Sequence, residues 1–231
     1  MRTVNVGCVL RTGGDYRVDH VGALDYSLKR HCHRSAKLVC FTDVPDQVRA
    51  LGVEAIPLEQ NNPGWWSVPE VFRLQGPTIV VGLDTVFVRD MRSLVDVALN
   101  STQDDFWMIR NVGIGKGLAS GIMVWNGDWK WLYDDFNYKD VSKRLRGDED
   151  WTLSALKSKG LNPKILQKEY NGDHHGGPIE GIYSYKRDVR GKIAMPDDAF
   201  IIVFHGKPRP HEIFHAWRRL NYPLTGEVGR V

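Results

Sequence analysis

Apolar positions along the chain fall into short continuous runs, separated by segments in which they recur every three or four residues. Residues 3–10 (TVNVGCVL) and 37–42 (KLVCFT) are β-branched and apolar enough for buried strands. Between them, residues 17–31 place Val18, Val21, Leu24 and Leu28 on one face, as an amphipathic helix does. Strand, helix and strand in that order make a βαβ unit. Residues 53–58 (VEAIPL) predict a third strand, and 78–83 (TIVVGL), entered after the Gly76-Pro77 break, a fourth. A short helix over 91–100, strands at 104–110 and 120–126, a helix from about Asp148 to 160 and a late strand at 199–205 complete the sheet. The alternation predicts an α/β fold: a mostly parallel central sheet with helices on both faces, in a single domain over 1–231.

Composition narrows the picture. No stretch approaches the ~20 consecutive apolar residues of a membrane span, and the N-terminus runs straight into a strand pattern rather than a signal peptide, so a cytoplasmic protein is expected. Three cysteines, Cys8, Cys32 and Cys40, form no CxxC pair and fit a reducing compartment. A net charge of +3 and a pI near 8.7 permit an anionic ligand without demanding one.

The chemistry starts from residues 79–90, IVVGLDTVFVRD, where an apolar run breaks at Gly82 and sets Asp84 before a second apolar stretch. A carboxylate in that setting needs a partner to offset its desolvation. In open α/β sheets ligands bind beyond the carboxyl ends of the strands. The residues there are Arg11, Thr12, Gly13, Gly14 and Asp15, then Thr42 and Asp43, then Asp84, and finally His205, Gly206 and Lys207. Glycines admit close backbone approach, Asp84 and His205 can share a metal ion, and Lys207 with Arg209 can hold phosphate oxygens. Together they describe a nucleotide-diphosphate site, although neither GxGxxG nor GxxxxGK[ST] is present.

The ordered segments GWWSVPEVFRL, VVGLDTVFVRD, SGIMVWNGD, GDEDWTLSAL, SYKRDVR and VFHGKPRPHE span most of the chain. In this order they resemble the GT-A-fold glycosyltransferases related to the glycogenin-like retaining enzymes, especially compact bacterial and phage versions. The resemblance implies a nucleotide-sugar donor, usually UDP-linked, and a divalent cation, Mn²⁺ or Mg²⁺, bridging the diphosphate. By it, Asp84 and His205 are metal ligands, Lys207 steadies the diphosphate, and Leu83, Ser120, Gly121 and Gly206 line the donor. Asp148 meets sugar hydroxyls, Glu149 lies near the reacting face beside Asp150, and anomeric configuration is retained. The phage-like versions make hydroxymethylated DNA bases one acceptor; surface glycans and small metabolites are others.

The chain departs from the family pattern at Gly82, where the first aspartate of Asp-x-Asp is expected, at Val68 in place of lysine, and at Ala119 in place of asparagine. These departures motivate a second reading, a catalytically silent nucleotide-sugar binding module. A metal-dependent nucleotidyltransferase ranks last, because no glycine-rich triphosphate loop follows the first strand. Bland readings stand beside several candidates. The acidic run at 148–150 suits a helix N-terminus, and the histidines at 31–33 suit a helix C-terminus. Tyr16 and Asp43 are as easily loop residues as base and ribose contacts. Residues 173–177 (DHHGG) read as a solvated loop or an acceptor-side lid, and most tryptophans read as packing.

Overall fold

The structure, a computed structural model, describes residues 2–32, 35–112, 117–170 and 173–224. Strands β1 (Val4–Leu10), β2 (Ala36–Thr42), β3 (Glu54–Pro57) and β4 (Thr78–Val81) run parallel, with β1 between β2 and β4. After β5 (Thr85–Phe87), the strands β6 (Phe106–Arg110), β7 (Leu118–Trp125) and β8 (Lys164–Ile165) extend the same sheet, in the order β3-β2-β1-β4-β7-β6-β8. Only β7 runs against its neighbours β4 and β6. The expected mostly parallel sheet is therefore present.

Helices cover both faces. α1 (Val18–His31) buries Val21, Leu24 and Leu28 against Val4, Val6, Cys8 and Leu10 of β1. Its Asp19 lies in the first turn, with Lys29, Arg30 and His31 in the last, so its charges complement the helix dipole. His31 Nε2 is 2.7 Å from Asn221 Oδ1; His33 lies outside the described residues. α2 (Pro45–Arg49) and α3 (Arg92–Asn100) join α1 on this face, through Val48 and through Leu94 and Val95.

On the other face, segment GWWSVPEVFR forms a 3-10 helix, Gly64–Arg73, that buries Val71 and Phe72. With α4 (Trp131–Asp134) and α6 (Asp148–Ser158) it covers Phe41, Val80, Met123 and Trp125; α5 (Tyr138–Val141) packs outside them through Val141. Phe106 and Trp125 stack at 5.6 Å, a pairing that adds about 1 kcal/mol beyond burial alone.

Two expectations are corrected. β4 stops at Val81, because Gly82–Asp84 turn the chain: Thr85 N donates to Gly82 O at 3.0 Å. The late strand does not complete the main sheet. A short hairpin, β9 (Glu169–Tyr170) and β10 (Asp173–His174), takes up part of the DHHGG segment. Strands β11 (Ile182–Ser184) and β12 (Ile201–Val203) then form a separate sheet in the order β11-β12-β5. The turn at Asp84 redirects β5 out of the main sheet, and its freed edge pairs antiparallel with β12. Short helix α7 (Ala216–Asn221) closes this side, with Arg218 and Tyr222 buried.

Candidate active site

Parallel β1 and β4 bring Arg11 and Gly82–Asp84 to the same end of the sheet. Antiparallel β7 brings its amino-terminal residues there too: Val81 pairs with Ile122, and Gly82 N donates to Gly121 O at 3.0 Å. A cavity of about 460 Å³ opens at this end, lined among others by Arg11, Tyr16, Trp65, Val68, Asp84 and Arg209. Gly82 and Leu83 also line it, so two of the three departures from the family pattern, Gly82 and Val68, stand at the cavity itself.

Asp43 organises the β1 exit. Its carboxylate accepts from Thr12 N at 3.0 Å, Thr12 Oγ1 at 2.6 Å and Arg11 Nη1 at 3.1 Å, while Arg11 Nη2 also bonds Asn61 Oδ1. Gly13 makes the following turn with φ +93°, where a Cβ would be strained. Thr42 is fully buried and its hydroxyl accepts from Val44 N, so it shapes the turn from inside. Tyr16 lines the cavity with its ring under the Arg209 guanidinium, 5.0 Å from centroid to Cζ. Its hydroxyl is buried, with the Asp84 carboxylate and the Arg209 guanidinium as its polar neighbours.

Asp84 finds its partner 125 positions away. Arg209 Nη1 stands 3.4 Å from Asp84 Oδ2, and Arg209 Nε donates to Asp15 Oδ2 at 3.2 Å. Burial pushes the Asp84 pKa up to about 6, against the pull of that guanidinium. A Cβ placed on Gly82 would stand 2.5 Å from Asp84 Oδ1: the carboxylate fills the room that a side chain at 82 would need. The turn is pinned from behind, since the buried Tyr222 hydroxyl donates to the Leu83 carbonyl.

The acidic run 148–150 divides by helix phase. Asp150 accepts from Arg146 N at 3.1 Å and closes the first turn of α6, the bland role. Asp148 is buried, and burial pushes its pKa to about 6 although a hydrogen bond from the Ser120 hydroxyl pulls it back. Glu149 is pushed to about 7 by burial and by the Asp148 charge, with hydrogen bonds from the Ser120 backbone and the Asn111 side chain working the other way. Two carboxyls thus sit together at the edge of β7, one residue from Gly121. Trp65 links them to the cavity: it is 62% exposed, lines the cavity, and its indole lies 3.4 Å from a Cβ placed on Gly147. The buried tryptophans, Trp66, Trp125 and Trp129, are packing.

His205 and Lys207 follow β12. His205 Nε2 is 2.6 Å from Ser184 Oγ, and burial with the charges of Lys186 and Arg187 lowers its pKa. Its neighbour Phe204 donates its N–H to the Asp84 carbonyl at 2.9 Å, so the two backbones meet while the two side chains serve different partners. Lys207 is 71% exposed and reaches Glu212 at 3.7 Å. Gly206 turns with φ +76°, and a Cβ on it would lie 3.2 Å from Lys186 Nζ. Among the described residues no group of three or more His, Cys, Asp or Glu side chains is placed to hold a metal ion. A divalent cation would meet one carboxylate already paired with a guanidinium and one imidazole already bonded to Ser184. This set does not fit the cation that the resemblance implies.

Asn111 and Tyr222 escaped the sequence reading. Asn111 directly follows the strand at 106–110, so the rule of inspecting strand exits points to it. For Tyr222 no signal exists in the sequence.

The fold is that of the GT-A glycosyltransferases. The glycosyltransferase GlyE of Streptococcus pneumoniae TIGR4 matches with a TM-score of 0.63 at 13% identity, over 94% of this chain and 59% of GlyE. Mouse xyloside xylosyltransferase 1 in its apo form matches with a TM-score of 0.53 at 11% identity, over 93% of this chain and 100% of that one. An active-site Gln-to-Glu mutant of LgtC matches with a TM-score of 0.52 at 9% identity, over 89% of each chain, and the galactosyltransferase LgtC is also solved with donor and acceptor sugar analogs. The chain thus spans about three-fifths of the length of GlyE. No protein-family model matches the sequence, and no curated protein matches it.

Proposed function

We propose that the chain transfers a sugar from a nucleotide-sugar donor, UDP-linked by resemblance, to a hydroxyl acceptor. One observation carries the reading: a cavity with arginines for a diphosphate opens at the same sheet end as a carboxyl pair, buried Asp148 and half-buried Glu149. Breaking the bond between an anomeric carbon and a diphosphate develops positive charge on the sugar and negative charge on the leaving group. Arg11 and Arg209 suit the second charge, Asp148 and Glu149 the first. Asp148 accepts from a sugar hydroxyl, and Glu149, facing the anomeric carbon, favours retention. The sugar analogs held by LgtC support a donor and an acceptor side in this fold.

The test is a panel of nucleotide sugars with purified protein, following release of nucleoside diphosphate, with glycans and hydroxymethylated DNA duplexes as acceptors. One donor is expected to turn over, and Asp148→Asn is expected to lower that turnover about 10- to 100-fold, as losing a hydrogen bond to a charged group does. Nucleoside diphosphate binding without turnover of any donor would instead support the silent binding module that Gly82 and Val68 at the cavity motivate.

A further inference from the structure

We infer that Arg209 supplies the fixed positive charge at the donor diphosphate, so that this chain holds and releases a nucleoside diphosphate without a divalent cation. The inference rests on the glycosyltransferase reading and deepens it.

Arg209 already meets Asp84, one of the two residues expected to hold the cation. Its Nη1 faces Asp84 Oδ2 at 3.4 Å, its Nε donates to Asp15 Oδ2 at 3.2 Å, and its guanidinium lies over the Tyr16 ring. Two carboxylates and an aromatic face hold the group from three sides, which fixes a planar fork in place before a ligand arrives. Arg209 lines the cavity, with its Nε turned to Asp15 and its Nη1 to Asp84. Its fixed positive charge therefore meets a phosphate oxygen that enters the cavity.

Gly82 explains why the exchange is possible. With no side chain there, the Asp84 carboxylate occupies the space of a Cβ at 82 and turns toward the guanidinium. An aspartate at 82 would displace it. The loss of one carboxylate and the gain of one arginine contact are thus a single change in the site. A divalent ion on Asp84 would have to sit against the guanidinium charge, whereas a phosphate oxygen meets that charge favourably.

In the transfer, the bond from the anomeric carbon to the diphosphate oxygen breaks and its electron pair stays on that oxygen. A bond from the anomeric carbon to the acceptor oxygen forms, and the acceptor proton passes to the departing diphosphate. Arg209 stabilises the negative charge as it develops and takes no proton, because a guanidinium stays charged throughout.

Isothermal titration calorimetry with UDP, GDP, ADP and uridine, in EDTA and in Mn²⁺, tests this. The nucleoside diphosphate that binds is expected to bind equally, within about twofold, in both conditions. Arg209→Gln is expected to weaken it at least about tenfold with uridine affinity unchanged, and Arg209→Lys to fall between, since an ammonium keeps the charge and loses the fork. Arg209→Lys also guards against misfolding, checked by its melting curve. Binding that requires Mn²⁺ would overturn the inference alone and return the cation to Asp84 and His205. Equal losses for uridine and the diphosphate in Arg209→Gln would also overturn it. No binding by any diphosphate would overturn both the inference and the transferase reading.

Discussion

At Glu149, burial and the neighbouring Asp148 carboxylate push the pKa from 4.5 to about 7. The sign of the linkage follows from that direction. Between pH 4.5 and 7 the folded chain holds this proton and the unfolded chain loses it, so stability falls as pH rises through the window and levels off above it. Glu149→Gln removes the ionisation. Its melting temperature is expected to match the wild type near pH 4 and to exceed it by about 2 °C at pH 8, read by thermal scanning across a buffer series. An equal gain at both pH values would contradict the assigned environment. The residue scale also shows what a sequence can reveal. Three acids at a helix start are visible in it, but not which one turns back to cap the helix and which is buried, because that depends on helix phase against β7. Gly82 is visible as a missing aspartate; that the Asp84 carboxylate fills its space is not, since Arg209 arrives from 125 residues away.

At the scale of elements, the site depends on a turn, Gly82–Asp84, clamped between β7 and the chain that leaves α7. Gly121 holds it from the front. Tyr222 holds it from behind through the Leu83 carbonyl, with the His20 carbonyl 3.3 Å from the same hydroxyl. Tyr222→Phe keeps the ring and leaves that buried carbonyl without its donor, at a cost of about 1–3 kcal/mol. The expected result is a folded protein that melts several degrees lower and binds nucleoside diphosphate more weakly. Unchanged melting and binding would show that the clamp is dispensable. The regular elements are legible from periodicity, because α1 and β1 each repeat the pattern that their packing uses. The β11-β12-β5 sheet is not, because its strands have three residues each and are set by the turn at Asp84 rather than by their own pattern.

Across the whole molecule, the antiparallel insertion of β7 between β4 and β6 is what joins two chemistries. It carries Ser120 and Gly121 to the sheet end where β1 and β4 stop, and Ser120 there meets the first turn of α6. The late loop returns from β12 with Gly206 and Arg209 and closes the same region. The alternation of strands and helices is readable from the sequence; the direction of β7 is not, and with it the proximity of Asp148 to Gly82 stays hidden.

A crystal structure of the protein with UDP, grown in EDTA, shows which side chains meet the diphosphate when no divalent cation is present. The diphosphate is expected within hydrogen-bond distance of Arg209 and on the Arg11 side of the cavity, with Trp65 between the nucleotide and Asp148. A nucleotide seated elsewhere, for example in the cavity beside Asp25, Lys29 and Lys37, or one whose phosphates leave Arg209 untouched, would contradict it.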